Sequence, residues 1–115
     1  MRNLLLFSVI LLATASCTTT QKSLYNWDRY TTTSYQFYKK QTPEATEALM
    51  KTYENMIKKT TGTRKTAAPG VHAEYGYFLI QNGKKEDGIV MLKKEKELYP
   101  ESSIFMDRLI KQFSE

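Results

Sequence analysis

Apolar residues recur every three or four positions along most of this 115-residue chain. This spacing places side chains on one face of an α-helix. The clearest stripe follows a strong helix start, because Thr42 offers a hydroxyl N-cap and Pro43 has the fixed φ that suits a first helical position. The stripe comprises Ala45, Ala48, Leu49, Tyr53, Met56 and Ile57. No segment alternates regularly between apolar and polar residues, so the pattern predicts an all-α fold.

Breaks in the pattern divide the chain into five predicted helices. The first covers about residues 24–39, although its threonines are poor helix formers. The second covers about residues 43–60 and is followed by a polar break. The third begins after Pro69-Gly70 and ends at Gly83, because a left-handed glycine suits the position after a helix.

The last two predicted helices are separated by Pro100, which forces the fourth helix to end. Ser102 or Ser103 can then cap the fifth helix. Its spacing predicts an inward-facing stripe of Phe105, Met106, Leu109, Ile110 and Phe113.

Residues 69–100 resemble the helix-turn-helix pattern of tetratricopeptide repeats (TPRs). Gly76 and Gly88 stand where that pattern needs small residues for two helices to approach, and Leu92 stands at a bulky position. Glu95 departs from the pattern, because a small alanine is expected there. The two earlier helices match as a weaker second copy. The resemblance implies two TPR-like helical hairpins plus a C-terminal capping helix, with a plain helical bundle as the alternative.

A short apolar segment near the start precedes the only cysteine. Residues 4–13 would span about 15 Å as a helix, half of a bilayer core, which predicts a signal peptide and not a membrane-spanning helix. Ala15, Ser16 and Cys17 resemble the site that lipoprotein signal peptidase cleaves, while Thr14 departs from the usual aliphatic residue. The alternative is an ordinary signal peptide cut near Ala15.

Lipidation at this site would divide the chain into three parts: residues 1–16 as signal peptide, residues 17–23 as a lipidated polar tether and residues 24–115 as the helical domain. Diacylglycerol and further acyl chains on Cys17 would hold the protein firmly to a membrane. Thr18 replaces the aspartate that retains such proteins in the inner membrane of Gram-negative bacteria. No acidic run of the kind that sends some lipoproteins to the cell surface follows Cys17, so the sequence predicts an outer-membrane protein anchored in the periplasmic leaflet.

Candidate catalytic residues are few, and no motif for a metal, a nucleotide or another cofactor is present. His72 is the only histidine, and a lone histidine at a helix start is more often a surface residue or a hydrogen-bonded structural residue than a catalytic one. Glu74 and Glu95 lie on the two helices of the best repeat and could form an acid–base pair. The alternative is a structural hydrogen bond to Tyr75, Tyr77 or a helix end. We therefore predict that the protein is not an enzyme.

Eight tyrosines and a formal net charge of +5 bear on the choice of partner. Tyrosine gives a large contact area at little entropic cost, so Tyr38 and Tyr77 are candidate partner-binding residues, together with Glu74 and Glu95. The alternative is that tyrosines fill the seams between helices. Lysines interleaved with acids are typical of a solvated helix face. A coherent basic stripe is missing, and export separates the chain from nucleic acid, so we expect no nucleic-acid binding.

Several segments are similar to those of an uncharacterised family of small bacterial lipoproteins. They are residues 25–27, 35–38, 73–77, 94–102 and 105–107. Asp28 departs from the glycine that is common in the family at this position. Members are usually encoded beside two other lipoproteins, one similar to the curli secretion channel subunit. The resemblance implies a multi-lipoprotein envelope assembly as the setting, and it implies no activity.

Together these features predict a protein–protein interaction module whose groove binds a peptide segment or a neighbouring envelope lipoprotein. One alternative is an envelope hydrolase that acts on cell wall or lipid through Glu74, Glu95 or His72. Another is a purely structural subunit that depends on its partners for stability.

Overall fold

The computed structural model describes Met1 and residues 20–115, and that part of the chain contains five α-helices and no strand. The helices are α1 (Tyr30–Lys40), α2 (Pro43–Lys58), α3 (Val71–Gln81), α4 (Lys85–Leu98) and α5 (Ser103–Ser114). A 3₁₀ turn, Pro100–Ser102, precedes α5. The predicted all-α class is confirmed. Apart from Met1, the predicted signal peptide lies outside the described residues, and so does Cys17.

The five helices form two hairpins and a C-terminal helix. Helix α1 packs on α2, α3 packs on α4, α2 joins the two hairpins through α3, and α5 packs on α4. Within the second hairpin, a Cβ atom added to Gly76 would lie 2.7 Å from the carbonyl oxygen of Gly88. The predicted close approach of two helices at these glycines is therefore confirmed.

Helix α1 begins at Tyr30, and the predicted start near residue 24 was wrong. The preceding segment is held by the loop after α2 instead of by helical hydrogen bonds. The backbone N–H of Thr63 donates to the carbonyl of Ser23 at 3.1 Å, and the N–H of Arg64 donates to Leu24 at 3.0 Å. Long-range bonds of this kind leave no trace in local apolar spacing, which is why the prediction failed here.

Two of the predicted helix-end signals are confirmed. The hydroxyl of Thr42 accepts a hydrogen bond from the N–H of Ala45 at 3.3 Å and caps α2. Gly83 adopts a φ of 79°, and its N–H donates to Ile80 while the next N–H donates to Leu79, which closes α3 in a Schellman motif.

The predicted serine caps of α5 were wrong. The Ser102 hydroxyl donates to the carbonyl of Tyr99 at 2.7 Å, and the Ser103 hydroxyl donates to that of Pro100 at 2.5 Å. Both hydroxyls therefore act as donors within the tight turn, and neither accepts from an N–H of α5.

The core lies where α2, α3 and the loop between them meet. Its most buried cluster consists of Leu49, Tyr53, Met56, Ala67, Ala68 and Val71. Leu92 of α4 and Met106 of α5 are also buried. Phe105 was predicted to face inward, but its side chain is 60% exposed. No helix of the described residues is long and apolar enough to cross a bilayer.

Candidate functional site

The candidate site is a groove lined by the first, third and fifth helices, with a volume of about 730 Å³. Its floor includes Tyr53 of α2. Its walls carry the side chains of Phe37, Tyr38, Ala73, Glu74, Tyr77, Phe78, Phe105 and Leu109. We call this surface the aromatic groove. Most of its lining comes from the first helix of each hairpin and from α5, with Thr46 and Tyr53 added by α2.

Three aromatic residues of the groove are open to solvent. Tyr38 is 69% exposed, Tyr77 is 46% exposed and Phe105 is 60% exposed. They come from three different helices, α1, α3 and α5. Large exposed apolar side chains that cluster on a concave surface are typical of binding sites. Both tyrosines that the sequence singled out, Tyr38 and Tyr77, therefore lie at the same groove.

The groove is supported underneath by a continuous series of packed rings. The centroids of Phe37 and Phe78 are 5.0 Å apart, and those of Phe78 and Tyr53 are 5.8 Å apart. The series continues through Tyr30, 5.8 Å from Tyr53, to Trp27, 5.9 Å from Tyr30. Aromatic contacts of this kind add stability beyond the burial of surface. The tyrosines are thus divided: some fill the seams between helices and others remain open.

Glu74 is the only charged side chain among the residues that line the groove. Its Oε2 atom accepts two hydrogen bonds, from the hydroxyl of Tyr53 at 2.7 Å and from that of Tyr30 at 2.9 Å. The sequence offered a structural hydrogen bond to a tyrosine as one alternative, but the donors are Tyr30 and Tyr53 instead of Tyr75 or Tyr77. The hydroxyl of Tyr75 donates to Glu54 at 3.0 Å. The carboxylate joins α3 to both helices of the first hairpin.

Both hydroxyls beside Glu74 are held in the protonated form. Burial raises the pKa of Tyr53 far above its ordinary value, and the neighbouring Glu74 carboxylate raises it further. The same two causes, burial first, raise the pKa of Tyr30. These tyrosines are therefore hydrogen-bond donors to Glu74 throughout the physiological pH range.

Glu95 lies elsewhere and has a different role. Its side chain is buried in α4, and its Oε1 atom accepts a hydrogen bond from the N–H of Gly70 at 2.6 Å. Gly70 is the N-cap residue of α3 and has no side chain with which to cap that helix. Glu95 thus forms the hydrogen bond to a helix end that the sequence offered as an alternative. Glu74 and Glu95 share no hydrogen-bond partner.

His72 is buried and does not line the groove. Burial lowers its pKa, and the nearby charge of Lys94 lowers it further, which favours the neutral imidazole. Its Nδ1 atom has no hydrogen-bond partner among the described residues. Within the same residues, no three His, Cys, Asp or Glu side chains come together as metal ligands would.

The sequence did not indicate that Phe105 belongs to the groove. Helix α5 carries Ile104, Phe105, Met106, Leu109, Ile110 and Phe113 within twelve residues. One buried stripe does not need so many apolar residues. That surplus was a signal, since Ile104 and Phe105 are the two that remain exposed.

Comparison with known proteins gives one match. Residues 24–109 match the sequence profile of a family described as a domain of unknown function (DUF4810). No curated protein and no solved structure matches the chain.

Proposed function

Because the chain belongs to the DUF4810 family, whose description states no function, we propose a function from the site itself. The protein is an outer-membrane-anchored lipoprotein whose aromatic groove binds a segment of a neighbouring protein in a multi-lipoprotein envelope assembly. The observation that carries the proposal is the exposure of Tyr38, Tyr77 and Phe105 on three helices around one groove.

The size and lining of the groove support a peptide as its occupant. Its volume of about 730 Å³ lies within the range of roughly 300–1,000 Å³ that is usual for small-molecule clefts, which is room for a few side chains of a bound segment. Rigid aromatic side chains give large contact areas and lose little entropy on binding, which is why they dominate the energetics of protein interfaces.

The charge of the groove supports a basic residue in the bound segment. Glu74 uses Oε2 for both tyrosine hydroxyls, and its Oε1 atom accepts no hydrogen bond from the described residues. A Lys or Arg side chain of the partner would meet this carboxylate between aromatic rings, where ion pairing and cation–π contacts act together. The proposed occupant is therefore a largely apolar segment with one basic residue.

Photocrosslinking from the groove tests the proposed binding. Benzoylphenylalanine placed at Tyr38 should form a defined adduct in native membranes, whereas the same group at Val90, exposed on α4 away from the groove, should not. Tyr77→Ala and Phe105→Ala should each weaken binding of a synthetic peptide of the crosslinked segment about tenfold, the usual cost of losing a central aromatic contact.

Glu74→Gln should also weaken the binding of this peptide. In the Glu74→Gln variant, replacing the peptide's basic residue should weaken binding no further. Val90→Ala is the matched control and should bind as the wild type does. Equal adducts from Tyr38 and Val90, or an affinity insensitive to Tyr77 and Phe105, would contradict the proposed site.

The anchor is tested separately at Cys17 and Thr18. The mature protein should carry diacylglycerol on Cys17 by mass spectrometry, and Cys17→Ala should leave the membrane fraction, because the acyl chains supply the binding energy. Thr18→Asp should move the protein from the outer to the inner membrane. Thr20→Ala, a neutral change in the tether, should stay in the outer membrane. An unmodified Cys17 in the native protein would refute the anchor.

A further inference from the structure

Two segments next to the proposed anchor form one surface. Residues 22–29 precede α1 and residues 59–65 follow α2, and we call the surface that they share the N-terminal surface. The side-chain amide of Asn26 donates to the carbonyl of Lys59 at 2.7 Å, in addition to the two backbone bonds between the segments. A Cβ atom on Gly62 would overlap the Leu24 carbonyl, so this close approach requires glycine.

This surface carries the whole net charge of the mature chain. It contains five exposed basic residues, Lys22, Arg29, Lys59, Arg64 and Lys65, and one exposed acidic residue, Asp28. The rest of residues 17–115 contains eleven basic and eleven acidic residues. The rest of the mature chain is therefore neutral overall, and its excess of positive charge belongs to the N-terminal surface.

Exposed apolar side chains accompany this charge. Trp27 is 46% exposed and lines a depression of about 700 Å³ together with Lys22 and Lys65. Leu24 is 53% exposed. Tryptophan and lysine side chains side by side are typical of surfaces that contact lipid headgroups, since each has an apolar body and a polar end.

The N-terminal surface lies next to the proposed lipid anchor, which places it near the membrane. Five residues separate Cys17 from Ser23, the first residue bonded to the loop after α2. Such a tether reaches at most about 20 Å when fully extended. An acylated Cys17 would therefore hold the N-terminal surface close to the lipid headgroups, and closer than the rest of the domain.

We infer that the N-terminal surface binds anionic phospholipid headgroups and thereby fixes the orientation of the domain on the membrane. Trp27 and Leu24 enter the interface, while the five basic residues face the lipid phosphates. The inference rests on the proposed lipid anchor and deepens it, because an anchor alone would leave the domain free to rotate about its tether.

Trp27 is the only tryptophan of the chain, so its fluorescence reports on this surface alone. The acylated protein, purified from membranes, is reconstituted into phosphatidylcholine vesicles with or without phosphatidylglycerol, and one acyl chain of the lipids is brominated. With phosphatidylglycerol present, Trp27 emission should shift to shorter wavelength and be quenched by the bromine. High salt should reverse both effects.

Charge variants provide the matched comparison. Lys65→Gln and Arg64→Gln should each lower the docking equilibrium about fivefold, the usual effect of one basic residue near an anionic surface. Lys40→Gln removes an exposed basic residue at the other end of α1 and should leave Trp27 quenching unchanged.

Flotation of the vesicles and the mass of Cys17 separate the two proposals. A protein that carries acyl chains and floats, but whose Trp27 is unquenched with phosphatidylglycerol, would overturn the inference and leave the anchor standing. The inference would also be overturned if Trp27 were quenched equally without phosphatidylglycerol, or if Lys65→Gln left the quenching of Trp27 unchanged. The basic charge would then serve another partner, such as an acidic protein. A protein without acyl chains would contradict both proposals.

Discussion

Replacing Glu95 with alanine should lower the free energy of unfolding by about 2–4 kcal/mol. The change removes the buried carboxylate that accepts from the N–H of Gly70 and leaves a cavity between α3 and α4. It also removes the only side chain that caps α3, because the N-cap residue itself is glycine. A loss of this size is a large part of the stability of a small domain, which is about 5–15 kcal/mol.

The isosteric variant Glu95→Gln is the control for this prediction. Its side-chain oxygen can still accept from Gly70, so we expect less than half of the loss seen with alanine. Urea denaturation followed by circular dichroism measures both variants. The prediction fails if Glu95→Ala is as stable as the wild type. Such a result would mean that alanine, the residue expected here in the TPR pattern, suits this position as well as glutamate does.

Local chemistry explains which parts of the fold could be predicted. The start of α2 depends on Thr42 and Pro43, and the end of α3 depends on Gly83. Both signals act within one helical turn, so the sequence carries them directly. The close approach of α3 and α4 within the second hairpin was also predictable, because Gly76 and Gly88 stand at a spacing known from TPR proteins.

Contacts between distant residues account for what the sequence missed. Leu24 and Trp27 fit helical spacing, yet the loop after α2 holds their segment through bonds that span about forty residues. Glu74 was recognised as a polar site, but its partners are Tyr30 and Tyr53, on other helices. Local periodicity cannot identify such partners.

The groove shows the same limit at the level of function. Tyr38 and Tyr77 could be chosen as contact residues from the chemistry of tyrosine, but the sequence does not show that they share one concavity with Phe105. Their meeting depends on the angles between three helices, which side-chain spacing within one helix does not determine. The fold therefore adds the arrangement, and the sequence supplied the residue types.

Raising the pH above about 10 should destabilise the domain, largely through Tyr53. Its ordinary pKa is 10.0, and burial together with Glu74 raises the pKa in the folded chain. The unfolded chain therefore loses this proton at a lower pH than the folded chain does. The stabilisation is complete below pH 10 and decreases above it by about 1.4 kcal/mol per pH unit for this one side chain.

Tyr75 adds to the same pH dependence. Burial, with a smaller contribution from Glu54, raises the pKa of Tyr75 to about 12. Its contribution should therefore decrease between about pH 10 and pH 12 and be lost above that range. Tyr53 and Tyr75 together predict cooperative alkaline unfolding, which circular dichroism would detect.

The variant Tyr53→Phe isolates the contribution of a single hydroxyl. Near neutral pH it should be about 1 kcal/mol less stable than the wild type, because it loses the hydrogen bond to Glu74. Near pH 11 the order should reverse, since phenylalanine has no proton to lose on unfolding. Tyr35→Phe, at an exposed position of α1, should keep the wild-type dependence. If the free energies of unfolding of Tyr53→Phe and the wild type changed in parallel with pH, Tyr53 would titrate alike in the folded and unfolded chains. That result would contradict the description of Tyr53 as a buried hydrogen-bond donor to Glu74.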